Sequence, residues 1–86
     1  MIMINEARSQ FEEFKALFDG KDFSSIDEIV KREKLSYGAL KGENGIADIN
    51  YKSLNVTILN HQGKCHIWDR VEVYDENDQF KGIYEL

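Results

Sequence analysis

His61, Cys65 and His66 fall within six residues of one another. All three side chains are zinc-ligand types, and a cysteine beside a histidine is also the pairing of a thiol nucleophile with its base. Both readings depend on where the side chains point. Successive residues of a strand face opposite sides, so Cys65 enters a core while His66 meets solvent. At most two of the three then converge, and a Cys65–His66 dyad would need a hydrogen bond across the sheet. No second cysteine and no further histidine exist to complete a ligand set. The segment reads as a hairpin histidine next to a core cysteine, with no metal and no cofactor assigned.

The remaining polar clusters fare similarly. Asp75-Glu76-Asn77-Asp78 resembles the opening of a calcium loop, but Phe80 stands where such a loop needs its glycine and Leu86 where it needs its closing glutamate. Gly42 and Gly45 have the spacing of a glycine-x-x-glycine loop, yet Glu43 between them would repel phosphate. Glu12-Glu13 and Asp75-Glu76 are adjacent acid pairs, not carboxylates facing each other across a cleft. No serine sits in a nucleophile elbow and no phosphate-binding loop is present. The expectation is a chain that is not an enzyme.

Two positions stand out. Asp69 falls on the apolar parity between Ile67 and Val71. A buried carboxylate needs a partner or a raised pKa, so a bulge that returns it to water is the simpler expectation. Trp68 shares the opposite parity with His66, Arg70, Tyr74 and Ile83. Tryptophan, tyrosine and arginine are the commonest anchors of protein interfaces, which makes Trp68, His66, Arg70, Tyr74 and Ile83 the candidate partner-binding residues unless a helix covers that face.

The elements that position these residues come from residues 54–86. Turn clusters at His61-Gln62-Gly63-Lys64 and at 75–79 divide the segment into three antiparallel strands, about 54–60, 64–74 and 80–86. Centring the turns on Gln62-Gly63 and Asn77-Asp78 sets Ile58 opposite Ile67, Leu54 opposite Val71, Val71 opposite Tyr84 and Val73 opposite Gly82. One face then carries Leu54, Val56, Ile58, Cys65, Ile67, Val71, Val73, Phe80, Tyr84 and Leu86, and is the expected core. A short fourth strand, or an irregular extension, precedes these over 46–51. Its apolar parity reverses at Lys52-Ser53, which predicts a bulge or break there.

Upstream, Ile4, Ala7, Phe11, Phe14, Leu17 and Phe18 recur at helical spacing, giving an amphipathic helix over about 4–19 that Gly20 ends. Ser25 with Glu28 has the form of a capping box and starts a second helix over 26–34. Tyr37 to Lys41 reads as a further helical turn within 36–41. Residues 25–41 resemble a weak helix-turn-helix, with Ile29-Val30 as the packing pair, Leu35-Ser36 as the turn, and Tyr37 to Leu40 opening the recognition helix. The resemblance implies a second helix in the major groove, with Lys31, Arg32, Lys34 and Lys41 as the nucleic-acid-facing residues. It departs from the family at Lys34, where the turn glycine is usual, and at Gly42, which stops the second helix after one turn.

Charge limits the partners. The 86 residues carry −5 in total, split as −2 over 1–20, 0 over 21–45 and −3 over 46–86. No segment has the positive excess that phosphate neutralisation needs, so a protein partner, and a basic one, is expected over nucleic acid. A single cysteine excludes an internal disulfide and fits a reducing, cytoplasmic setting. No apolar run approaches a membrane span and no leader pattern is seen. The sequence thus predicts one α+β domain over 1–86, two N-terminal helices packed on one face of a three- to four-stranded antiparallel β-meander. The expected function is a small acidic protein–protein binding module, similar in type to accessory and inhibitor proteins of phages and mobile elements. The alternative is a helix-turn-helix regulator, and a homodimer is a further use of the Trp68 face.

Overall fold

In the computed structural model, residues 4–85 are described, apart from the side chains of Ile4 and Glu43. Leu86, expected on the core face, lies outside the described residues, as does the side chain of Ile4 in the helical stripe. Helix α1, Ile4–Phe18, buries Ala7, Phe11, Phe14 and Phe18, none more than 2% exposed. These positions recur every three or four residues and so fall on one helical face. Phe14 stacks on Phe18 with ring centres 4.5 Å apart and meets Tyr51 edge-on at 5.6 Å. Gly20 takes φ 75° and ends the helix as its sequence position predicts.

The link to the second helix lies along the sheet. Gly20 N–H donates to the Cys65 carbonyl (3.1 Å), Cys65 N–H to Lys21 O (2.8 Å) and Phe23 N–H to Gly63 O (2.8 Å). A 3₁₀ turn, Phe23–Ser25, leads straight into helix α2, Ile26–Arg32. Ser25 therefore has helical backbone angles and makes no side-chain cap, so the expected capping box does not form. The helix also ends two residues early. Lys34 adopts φ 58°, with its N–H on Lys31 O (3.2 Å) and Leu35 N–H on Val30 O (2.9 Å). This is a Schellman ending built on a lysine.

Beyond it the expected helical turn is instead a strand. Strand β1, Ser36–Lys41, pairs antiparallel with β2, Ile46–Tyr51, through Ser36 opposite Asn50 and Tyr37 opposite Ile49. Tertiary pairing overrides the helix-forming tendency of Ala39, Leu40 and Lys41. The recognition helix of the helix-turn-helix reading is thereby removed: Lys41 belongs to a strand, Lys34 to a turn, and Lys31 and Arg32 are paired with Asp27 and Glu33 at 3.1 Å each.

Strand β3, Leu54–His61, follows a two-residue turn in which Tyr51 lies opposite Leu54. Such a turn puts residues three apart on the same face, which accounts for the parity reversal at Lys52-Ser53 without a bulge. The next stretch is one strand broken in two, β4, Lys64–Ile67, and β5, Arg70–Tyr74. Both lie against β3, with Ile58 opposite Ile67 as expected, but Leu54 opposite Val73 instead of Val71. Two extra residues are accommodated at Trp68-Asp69. An even insertion preserves the faces, so Val71 stays buried while Asp69 is exposed at the break. Strand β6, Phe80–Glu85, pairs with β5 through Val71–Tyr84 and Val73–Gly82, as predicted.

The result is an α+β domain with a six-stranded antiparallel sheet, ordered β1-β2-β3-β5-β6 with β4 beside β3. Two helices and one sheet face enclose a single core, to which Ile26, Ile29, Val30, Ile49, Val56 and Ile58 also contribute. Phe80 leaves that core: a register shift sets it opposite Tyr74, where it is 54% exposed. Among the described residues, no helix is long and apolar enough to cross a membrane.

Candidate functional site

The helices occupy one side of the sheet, so the question is what the other side presents. Alternation along the strands places Leu40, Ile46, Asp48, Asn50, Asn55, Thr57, Leu59, Trp68, Arg70, Glu72 and Ile83 there. Three of its large apolar members are open to solvent, with Leu40 39%, Trp68 43% and Ile83 50% exposed, while Ile46 and Leu59 are half-buried. The break between β4 and β5 shapes this face. Trp68 N–H is held by the Thr57 carbonyl at 2.9 Å, which fixes the tryptophan beside β3 and opens two adjoining hollows. One is lined by residues that include Asp48, Asn55, Thr57, Trp68, Arg70, Glu72 and Ile83. The other is lined by Leu40, Ile46, Asp48, Thr57, Leu59 and Trp68. Asp48, Thr57 and Trp68 are common to both.

Between the apolar residues runs a ladder of paired polar groups. Thr57 Oγ1 donates to Asp48 Oδ1 (2.8 Å), Asn55 Nδ2 to Asn50 Oδ1 (3.1 Å), and Asn50 Nδ2 to Ser36 Oγ (3.2 Å). Tyr74 OH donates to Glu72 Oε1 (3.1 Å), which raises the phenol's pKa after burial has done so first. Arg70 Nε reaches Glu85 Oε1 at 3.2 Å. Gly38 lies over the ladder: a Cβ there would stand 2.6 Å from Asn55 Nδ2 and 3.2 Å from Asp48 Cβ. Strand β1 is tied down from the other side. Tyr37 OH donates to Asp27 at 3.1 Å, and burial, reinforced by that carboxylate, pushes the phenol up to about 12. Asp27 is held below the usual carboxylate range by the Lys31 ammonium and then by the Tyr37 hydroxyl.

Of the five expected partner-binding residues, Trp68, Arg70 and Ile83 come together around one hollow. Tyr74 sits at the far end of the strand, its ring edge-on to Phe80 at 5.8 Å. His66 lies toward the β3–β4 turn, beside His61. The sequence reading missed Leu40, Ile46, Asp48 and Asn55. Ile46 and Asp48 could have been found, since they alternate with Ala47 and Ile49; Leu40 could not while 36–41 was read as helical.

The nucleophile reading fails on two counts. Cys65 is 3% exposed on the helix side, away from His66. Burial, with Asp19 and Asp22 nearby, pushes its thiol up to about 11, so it is protonated at neutral pH. The acidic second turn is a local structure: Asp75 Oδ1 accepts the N–H groups of Asn77 (2.8 Å) and Gln79 (2.9 Å). Compared with known protein families, curated proteins and solved structures, the chain matches none.

Proposed function

We propose that the chain is a non-catalytic protein–protein binding module whose interface is the helix-free face of the sheet centred on Trp68. The observation that carries this reading is the exposure of Trp68, Ile83 and Leu40 on a face whose central polar side chains, Asp48 with Thr57, Asn50 with Asn55 and Arg70 with Glu85, are already paired. Large apolar side chains gathered on one rigid surface are the usual core of an interface, and a sheet face needs little ordering on binding. Charge favours a basic partner. Asp48, Glu72 and Glu85 lie on or beside the face against the single guanidinium of Arg70, which Glu85 already engages, and the whole chain carries −5. An accessory or inhibitor protein of phage or mobile-element type, acting in the cytoplasm by occupying a basic surface of a host protein, fits these properties.

The test begins with solution mass by light scattering after size exclusion, for the wild type and Trp68→Ala. The reading expects both to be folded monomers. Used as paired baits, the wild type should retain a protein that Trp68→Ala and Ile83→Asp both lose. A partner held equally by all three would move the interface elsewhere, and an unfolded Trp68→Ala would place the indole in the core. A wild-type dimer that Trp68→Ala converts to a folded monomer would assign the face to self-association instead.

A further inference from the structure

The two histidines of the chain lie together at one end of the same sheet face. In the β3–β4 hairpin, His61 is opposite Lys64 and Leu59 is opposite His66, which makes His61 and His66 diagonal neighbours across the ladder. Diagonal side chains of this size are within mutual reach. Their ring centres are 6.2 Å apart with planes inclined at 51°, and both residues are exposed. Neither imidazole hydrogen-bonds to a described residue. The adjacent ammonium of Lys64 is engaged by Asp22 and does not compete for the space between the rings.

The backbone beneath them is well defined. Gln62 and Gly63 take φ 53° and 86°, the left-handed pair of a two-residue hairpin turn. Asn60 Oδ1 accepts the Gly63 N–H at 2.8 Å, and Phe23 N–H fastens the turn from outside. Metal–nitrogen bonds to imidazole are about 2.0–2.1 Å, so two rings sharing one ion have centres about 5 Å apart. Closing the gap from 6.2 Å takes about 1 Å, a movement on the scale of side-chain rotation for two exposed residues. We infer that His61 and His66 form a two-imidazole clamp for a divalent transition metal, copper(II) in preference to nickel(II) or zinc(II).

The order follows from the affinity of nitrogen donors for these ions. Cys65, which the sequence places beside the histidines, is on the opposite face and buried, so it is not a third ligand. Among the described residues, no group of three His, Cys, Asp or Glu gathers anywhere. Two protein donors leave the remaining positions to water or to a donor from another molecule, which makes this an exchangeable site and not a structural one.

The probe is copper(II) alone, titrated into the isotope-labelled full chain and followed by NMR. One equivalent should bind, with paramagnetic signal loss centred on His61 and His66. Either His61→Gln or His66→Gln should weaken binding at least tenfold, because each leaves a single imidazole. Zinc at ten times its wild-type dissociation constant should raise the wild-type melting temperature by roughly 6–10 °C and that of either variant by no more than about 3 °C. Signal loss centred on the N-terminal amine or on Asp75–Asp78 would overturn the inference. So would two single variants that each keep wild-type affinity, since that is the behaviour of independent histidines. The map of signal loss in the wild type decides the matter even if a variant disturbs the hairpin.

Discussion

Gly38→Ala is the sharpest test of how the open sheet face is built. The glycine sits in β1 without a left-handed φ, so conformational preference alone favours alanine by about 0.5–1 kcal/mol. Space opposes it. The added methyl would stand 2.6 Å from Asn55 Nδ2 and 3.2 Å from Asp48 Cβ. Asn55 can swing aside only by giving up its 3.1 Å bond to Asn50, a loss of about 0.5–1.5 kcal/mol. The Asp48 Cβ is fixed to the backbone and must shift by a few tenths of an ångström, a crowding penalty of about 1 kcal/mol, at the low end for overpacking. The balance is a destabilisation of about 1 kcal/mol, or roughly 4–8 °C in melting temperature for a domain of this size. The control is the same change in an Asn55→Ala background, where the closest contact and the hydrogen bond are both gone. There Gly38→Ala should fall within about 0.5 kcal/mol of neutral, so the two sites couple by about 1 kcal/mol in a double-mutant cycle read from urea midpoints. An equal penalty in both backgrounds would refute the reasoning, because the strain would then lie in β1 itself and not against the ladder.

Other perturbations test separate parts of the fold. Lys34→Gly replaces a lysine held at φ 58° by the residue suited to that conformation, and should raise the melting temperature by roughly 2–8 °C; a fall would mean that the lysine side chain has a stabilising contact of its own. Alkaline pH should unfold the protein through Cys65 and Tyr37. Their folded pKa values are raised from 9.0 to about 11 and from 10.0 to about 12, so the stability they contribute is complete below pH 9 and is lost progressively as pH rises through 11–12. Cys65→Ala should delay the onset of that loss in a denaturant–pH series, and an unchanged profile would refute the assignment. In the native state at pH 8 the same thiol, raised from 9.0 to about 11, should react with iodoacetamide roughly a hundredfold more slowly than a free cysteine.

What was legible in the sequence follows from how local each signal is. The phenylalanine stripe of α1 and the alternation of Leu54, Val56 and Ile58 each need only one element to declare itself, and both faces were assigned correctly. The hairpin at Gln62-Gly63 was legible because its turn residues fix the register. Residues 36–41 were not, because Ser-Tyr-Gly-Ala-Leu-Lys has neither strand alternation nor strand composition; what makes it a strand is Asn50, Ile49 and Ala47 waiting on β2. Phe80 departs from the expected face because a one-residue shift beside the turn turns its side chain over while Gly82 to Glu85 keep the expected register, and nothing in Gln79-Phe80-Lys81 announces the shift. Leu54 was set two residues out of register, yet on the correct face, because the insertion at Trp68-Asp69 is even-numbered.

That even insertion also explains why the candidate interface lies where it does. Had the strand from Lys64 to Tyr74 run unbroken, Asp69 would point among Ile67, Val71 and Val56, and its desolvation would weigh against the whole core. The break sends the carboxylate to solvent and lets two different neighbours use the same side of the strand: the chain at Gly20–Phe23 lies along β4, while β6 lies along β5. The helices are thereby fastened at the β4 end and packed on the inner face. On the other face, the break leaves Trp68 standing between Thr57, Arg70 and Ile83. A single local irregularity thus relieves a buried charge, closes half of one sheet edge and raises the one tryptophan of the chain onto an open surface. Relief of the charge alone would be met by any polar turn at that point, so the break by itself does not account for an indole there that is 43% exposed.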